Sequence, residues 1–337
     1  MVSRYSLICH CEERSSLALP ARAGVRRSNL QLLLLFSIFL FGCRPATPPP
    51  TSSDQTETAP DSVTKSTSIF ATSTTVPGEV TKIRNAQYQL GATDALQIVQ
   101  LTDGRFEQGT PSGTDFVSVA MTDFIAVGDL NSDGENEVAA LVSENYGGSG
   151  VFVFLTVYAN VNGKLTFQTS TIVDDRPQLN ALSIDNNEIF LDVVIHGSDD
   201  PMCCPTLRTA RHYRLVDNQL DMTDYATFTP DNKPRTITIE SPTNGTEVFS
   251  SVPMKGNVAI EPFENNLVYH IYDVSGIELS AGPIPVTASD AGAPGKFDVV
   301  IPLGKVLSGA VIRIEVQDAN AADGSLLAMD SVELVVK

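Results

Sequence analysis

Beyond about residue 85 the chain is a succession of short apolar runs cut by glycine, asparagine and aspartate. The runs "ALQIVQL", "FVSVAM", "EVAALVS", "VFVFLTVYA", "KLTFQTSTIV", "ALSID", "EIFLDVVIH" and "ARHYRLV" are rich in Val, Ile, Phe and Thr. They read as strands, because β-branched and aromatic side chains suit a pleated, half-buried surface. Asn162-Gly163 lies between two of them and predicts a two-residue hairpin, whose turn needs φ > 0 at both positions. Asp185-Asn186-Asn187 and Asp217-Asn218 predict two more turns. No window holds a helical period over the ~10 or more residues that a helix wants. Residues 85–228 therefore predict an antiparallel, meander-rich sheet or sandwich.

A second unit is predicted over 235–337. Its runs are Thr236–Glu240, Val252–Ile260, Leu267–Asp273, Gly295–Pro302, Val311–Asp318 and Met329–Val336, with a shorter one near Glu278. In "LVYHIYD", "VIRIEVQD" and "DSVELVVK" apolar residues partly alternate, as in sheets buried on one face. About seven short strands over ~100 residues with frequent turn signals predict an immunoglobulin-like sandwich. The Cys…Trp…Cys core of antibody domains is missing. The expected class is all-β: an antiparallel sheet or sandwich domain, then an immunoglobulin-like sandwich, behind a disordered N-terminal tether.

The N-terminal pattern is different. Arg26 and Arg27 precede an apolar run from Leu32 to Phe41, roughly half the ~20 residues that span a bilayer. A signal peptide over 1–42 is the expectation. The run ends in Leu40-Phe41-Gly42-Cys43, which resembles a bacterial lipobox with Cys43 as the diacylated residue, although Phe41 is bulkier than usual there. An ordinary signal peptide or a retained membrane helix are the alternatives. Met1–Gly24 makes the leader over-long, and a start near Val25 would give an ordinary one. Residues 43–84 continue as a Ser/Thr/Pro-rich tether, too poor in large apolar groups to offset its ordering entropy. The island Ile69-Phe70-Ala71 interrupts it.

Charge narrows the partners. The 337 residues carry a net charge of −18. Residues 1–42 hold five Arg and two Glu; without them 17 basic and 38 acidic residues remain, a net charge of −21. Such a surface repels nucleic acid and disfavours electrostatic docking on anionic lipid. It is compatible with divalent cations and with solubility outside a cell.

One acidic stretch has metal-ligand spacing. In "GDLNSDGENE", Asp129, Asn131 and Asp133 stand at positions 1, 3 and 5 of a loop, with Gly134 for a tight turn. Oxygens so spaced can converge on one hard cation, with the backbone carbonyl of Glu135 at position 7. Position 12 is Ala140, so the EF-hand pattern is incomplete, and Glu137 at position 9 is the candidate closing carboxylate. This looks like the shorter calcium loops between strands of integrin-type repeat proteins. A structural Ca²⁺ is the expectation, and an ion-free Asx turn the alternative. The following "NYGGSG" lacks Gly-Lys-Ser/Thr and leads into a strand, which argues against a phosphate cradle.

The second candidate is "DPMCCPT", with adjacent Cys203 and Cys204 between Pro201 and Pro205. In an oxidising compartment a disulfide between them is the expectation. Free buried thiols, a zinc site drawing in His196 and His212, and a catalytic or redox thiol with His196 as base stay open.

These motifs carry two resemblances. "AVGDLNSDGENEVAALVSENYGGSGVFVFLTVYANVNGKL" with "LDVVIHGSDDPMCCPTLRTARHYRL", about 110–220, resembles the LppP/LprE type of bacterial lipoprotein. Ile239-x-Ser241-Pro242-x-x-Gly245, Val252-Pro253-x-x-Gly256-x-Val258, Glu264, Gly276, Gly295-x-Phe297 and Asp323-Gly324-Ser325 resemble the bacterial immunoglobulin-like domain that accompanies the GerMN domain of spore-germination lipoproteins. "IEPFENN" departs from that pattern at Pro262, and no GerMN domain is visible. The resemblances imply an extracytoplasmic lipoprotein and name no reaction. The expectation is a non-enzymatic protein on the outer face of the cell membrane. It is held there by its lipid and binds envelope material or a protein. An envelope hydrolase or thiol oxidoreductase using Cys203 or Cys204, and a structural spacer, are the alternatives.

Overall fold

Hairpin turns organise the first half of the molecule. The computed structural model describes residues 77–92, 97–304 and 306–337. It begins with α1 (Pro77–Ile83), β1 (Gln87–Gln89), β2 (Ile98–Gln100), β3 (Arg105–Gln108), β4 (Val117–Gly128) and β5 (Glu137–Asn145). Then come β6 (Phe152–Val161), β7 (Lys164–Asp175), β8 (Gln178–Asp185), β9 (Glu188–Ile195), β10 (Leu207–Val216) and β11 (Gln219–Thr227). Asn162-Gly163, Asn186-Asn187 and Asp217-Asn218 each place two successive residues at positive φ. They close the β6–β7, β8–β9 and β10–β11 hairpins with the twist the strands require.

Strands β3 to β7 form one antiparallel sheet in chain order. Both faces are covered, and β5 shows why. Val138, Ala140 and Val142 point into a core with Ile83, Tyr88, Leu90, Val99 and Leu101. Ala139 and Leu141 point the other way, toward Leu155, Ile189, Leu191 and Val193. A strand buried on both faces needs apolar residues at every position, which is the origin of the unbroken "VAALV" run. The layers are thus α1 with the β1–β2 hairpin, the five-stranded sheet, and the sheet of β8 to β11. Helix α1 lies in the stretch whose composition reads as tether. At seven residues it is too short to persist alone, and its fully buried Ile83 ties it to the core. Two apolar contacts, buried Ile83 and half-buried Val80, are too few to leave a periodic trace in the sequence.

The second half continues with β12 (Ile237–Ser241), β13 (Thr246–Val248), β14 (Ser251–Val258), β15 (Asn266–Asp273) and β16 (Glu278–Pro285). It ends with β17 (Thr287–Ala288), β18 (Gly295–Pro302), β19 (Val311–Ala319) and β20 (Leu326–Val336). One sheet has the order β12-β14-β18-β17. Facing it, β16-β15-β19-β20 is extended by β13, which runs parallel to β20. This is the strand order of an immunoglobulin-like sandwich whose first strand is split between the two sheets. Val252, Met254, Leu267, Ile271, Ile312, Ile314 and Leu334 fill the space between them. At the departure noted in "IEPFENN", Glu264 and Asn265 take positive φ in a short 3-10 turn.

The two halves share a sheet. Strand β11 pairs antiparallel with β20 through Asp224↔Asp330, Tyr225↔Met329 and Ala226↔Ala328. The sheet of β8 to β11 therefore runs on into the immunoglobulin-like sandwich as nine strands, β13 included. Side chains reinforce the seam. Arg214 bonds Glu333 at 2.6 Å, Ser331 Oγ donates to the Thr223 carbonyl at 2.9 Å, and Arg313 donates to the Met222 carbonyl. The connecting segment doubles back, with Phe228 bridged to Pro234 and the Arg235 N–H bonded to the Thr227 carbonyl.

Candidate functional site

The acidic loop links β4 to β5, and its side chains close on their own backbone. The Asp129 carboxylate accepts N–H groups from Asn131 (3.1 Å), Ser132 (2.6 Å) and Gly134 (3.0 Å). Asn131 Oδ1 accepts the Asp133 N–H at 2.9 Å, and Asp133 Oδ1 accepts the Glu135 N–H at 2.8 Å. Gly134 sits at φ 85°, a conformation that few side chains tolerate. Glu137 opens β5 and is 1% exposed; its Oε2 accepts the Leu130 N–H at 2.8 Å. Asn131 Nδ2 reaches Asp133 Oδ2 at 3.0 Å and Glu137 Oε1 at 3.5 Å. Asn187, from the β8–β9 turn, ties the loop down by donating to the Asp129 carbonyl at 3.0 Å.

The loop thus gathers Asp129, Asn131, Asp133 and Glu137, with the Glu135 backbone beside them. Its electrostatics are unbalanced. Burial pushes the Glu137 carboxyl up, and the charges of Asp133, Asp129 and Glu135 add to this against the Leu130 N–H. Asp129 goes the other way: desolvation would raise it, but the N–H donors of Gly134, Ser132 and Asn131 outweigh that and hold it low. The donors are all oxygen, as a hard divalent cation prefers. Among the described residues no group of three or more His, Cys, Asp and Glu side chains is arranged to hold a metal ion.

Cys203 and Cys204 are joined in a disulfide, their Cα atoms 3.8 Å apart, on the exposed loop between β9 and β10. Asp200 builds that loop. Its Oδ2 accepts the N–H groups of Gly197 (2.8 Å) and Thr206 (2.7 Å), and its Oδ1 accepts the Thr206 hydroxyl at 2.8 Å. These donors hold its carboxyl below the usual range, the Gly197 N–H foremost. His196 is turned to β7, where Nδ1 and the backbone N–H meet Asp174 Oδ2 at 2.9 and 2.7 Å. His212 lies on β10, bonded to Asp224 at 3.3 Å and packed on Phe190. Among the described residues no hydrogen bond joins either histidine to a cysteine, and the two rings serve different carboxylates. In "NYGGSG" the Asn145 amide binds the Gly148 and Gly150 carbonyls at 3.1 and 2.6 Å, so the glycines form a self-bonded turn. Cys43 lies outside the described residues.

Glu144 escaped sequence reasoning. It is fully buried on β5 and accepts four hydrogen bonds, from Tyr88 Oη (2.6 Å), Gly91 N–H (2.8 Å), Ala92 N–H (3.1 Å) and Tyr146 Oη (2.7 Å). The carboxylate fastens the β1–β2 hairpin to the central sheet. Burial, followed by the Glu144 charge, pushes the Tyr88 phenol far above its ordinary value. A glutamate ending an apolar strand looks like an exposed terminus, so nothing local signals this role.

No family model matches the chain, and no curated protein matches it.

Proposed function

We propose that the chain is a non-enzymatic, lipid-anchored protein of the bacterial cell surface. It holds envelope material or a protein partner through its two β halves. The observation that carries this reading is the shared sheet: pairing of β11 with β20 makes the halves one scaffold rather than beads on a string. A continuous scaffold with long loops suits presentation of a binding surface, although fold alone assigns no ligand. Anchorage through Cys43, the extracytoplasmic location and the two family likenesses belong to the same proposal. In it, Asp129, Asn131, Asp133 and Glu137, with the Glu135 carbonyl, hold a structural Ca²⁺ that neutralises the carboxylates around Glu137. The test is a pull-down from envelope extract with the full chain, with and without chelator. A retained glycan or protein, weakened by chelator, is expected; an empty pull-down in both arms overturns the reading. Calorimetry of Ca²⁺ binding to the parent and to Asp129→Ala/Asp133→Ala isolates the metal, and equal heats would remove it.

One observation favours a second reading, an envelope hydrolase or thiol oxidoreductase: both cysteines are exposed, where an exchanging thiol has to be. Rapid maleimide labelling of one cysteine without reductant would support it. Absence of labelling, together with a two-hydrogen mass loss in the 200–208 peptide, would eliminate the hydrolase, and resistance of that disulfide to reduction by glutathione would eliminate the oxidoreductase.

A further inference from the structure

A cleft of about 200 Å³ opens between β1 and the start of β7, at the edge of the five-stranded sheet. Alternation along a strand puts every second side chain on one side. Lys164, Thr166 and Gln168 thus form one polar row, and Gln87 and Gln89 form another. Between the rows lies Phe167, held edge-on by Tyr88 and Tyr158 with ring centroids 5.8 and 5.9 Å away. Ile98, 62% exposed, stands at the rim.

Three features define what fits. Among the described residues no carboxylate lines the cleft, in a chain with 40 Asp and Glu. The amides of Gln87 and Gln89 and the Lys164 ammonium have no hydrogen-bond or ion-pair partner among the described residues. They offer donors and acceptors at no cost in broken internal bonds. The backbone of β7 is already engaged: Thr166 Oγ1 donates to the Lys164 carbonyl at 3.2 Å and Gln168 Nε2 to the Thr166 carbonyl at 2.9 Å. An added peptide strand would compete with those bonds. Recognition here falls to side chains, which suits a ligand rich in hydroxyl and amide groups with an apolar face for Phe167 and Ile98.

We propose that this cleft binds one or two N-acetylated sugar units of an envelope glycan. The acetamido and hydroxyl groups meet Gln87, Gln89 and Lys164, and the C–H face of the ring rests on Phe167. This rests on the envelope-binding reading above and names its ligand class and its place. The test adds N,N′-diacetylchitobiose to the full chain and follows amide hydrogen exchange. Slowed exchange in peptides covering 87–100 and 164–168 is expected. The variant Gln89→Ala/Lys164→Ala changes exposed or half-buried side chains, so it should melt like the parent and bind about tenfold more weakly. The inference falls if exchange does not change, if it changes only elsewhere, if the double variant binds equally, or if maltose, without acetamido groups, binds as well. An envelope pull-down that succeeds while the sugar leaves exchange unchanged defeats this inference alone. Binding at the cleft with an empty pull-down defeats only the broader reading.

Discussion

Two carboxylates, one buried and one half-buried, show how a single residue can set a condition on the whole chain. Glu144 satisfies four donors at once, and Glu144→Ala would strand the buried Tyr88 phenol in the core and remove the acceptor of the half-buried Tyr146 hydroxyl and of the Gly91 and Ala92 N–H groups. A loss of about 3 kcal/mol or more is expected in urea unfolding. Glu144→Gln, which keeps one acceptor oxygen, should lose less. Asp330 is the opposite case, a carboxyl that the fold holds in an awkward place. Burial pushes it up to about 6, the charges of Asp224 and Glu188 add to this, and the N–H groups of Ile239 and Ser331 oppose it. In the register it stands directly opposite Asp224, which leans on His212. Because the folded state binds this proton more tightly than the unfolded chain, Asp330 costs nothing at low pH. It destabilises increasingly as pH rises from about 4 to about 6, by roughly 2–3 kcal/mol in total. Asp330→Asn keeps an acceptor for the Ile239 N–H and removes that component. The variant should be about 2 kcal/mol more stable than the parent at pH 7.5 and nearly equal at pH 4. An unchanged pH profile of the unfolding free energy would contradict this.

At the scale of elements, glycines mark where strands and sheets come closest. A Cβ on Gly128, at the end of β4, would lie 2.6 Å from Ile184 Cγ2 on β8. A Cβ on Gly256 would meet the Thr238 carbonyl of β12 and the Phe297 ring of β18. Gly256→Ala should therefore cost about 1–3 kcal/mol by forcing the two strands apart, readable as a lower urea midpoint with an unchanged slope. Gly245, at φ 77° with nothing near its missing Cβ, tests backbone conformation alone, and Gly245→Ala should cost about 1 kcal/mol. Gly256 lies within a resemblance motif, yet nothing adjacent in sequence explains it; the obstacle is a residue from another strand. Hairpins were legible because both determinants of a type I′ turn lie in one dipeptide. Strand β11 was not, since Asp221, Asp224 and the small Ala226 break its apolar pattern. Its partner on the far side is more than 100 residues away, and the Thr227 hydroxyl bonds the Leu327 carbonyl at 2.8 Å across that gap.

For the whole molecule, the seam predicts cooperativity. Strands β11 and β20 pair through only three residues each, but Arg214, Arg313 and Ser331 cross the junction as well. Calorimetry should show one transition for both halves. Arg214→Ala/Arg313→Ala, which removes the charged links while leaving both cores intact, should split it into two. A single undivided transition in the double variant would mean that backbone pairing suffices. Local chemistry settles much of this protein: strand content, the positions of the type I′ hairpins, and the acidic and cysteine loops all follow from neighbouring residues. Packing settles the rest. The central sheet becomes a middle layer, two β halves come to share one sheet, Glu144 becomes an anchor, and two strands close a cleft of about 200 Å³. Each of these depends on surfaces far apart in the chain, and the free energy of such contacts comes from shape and burial that no short stretch of sequence encodes.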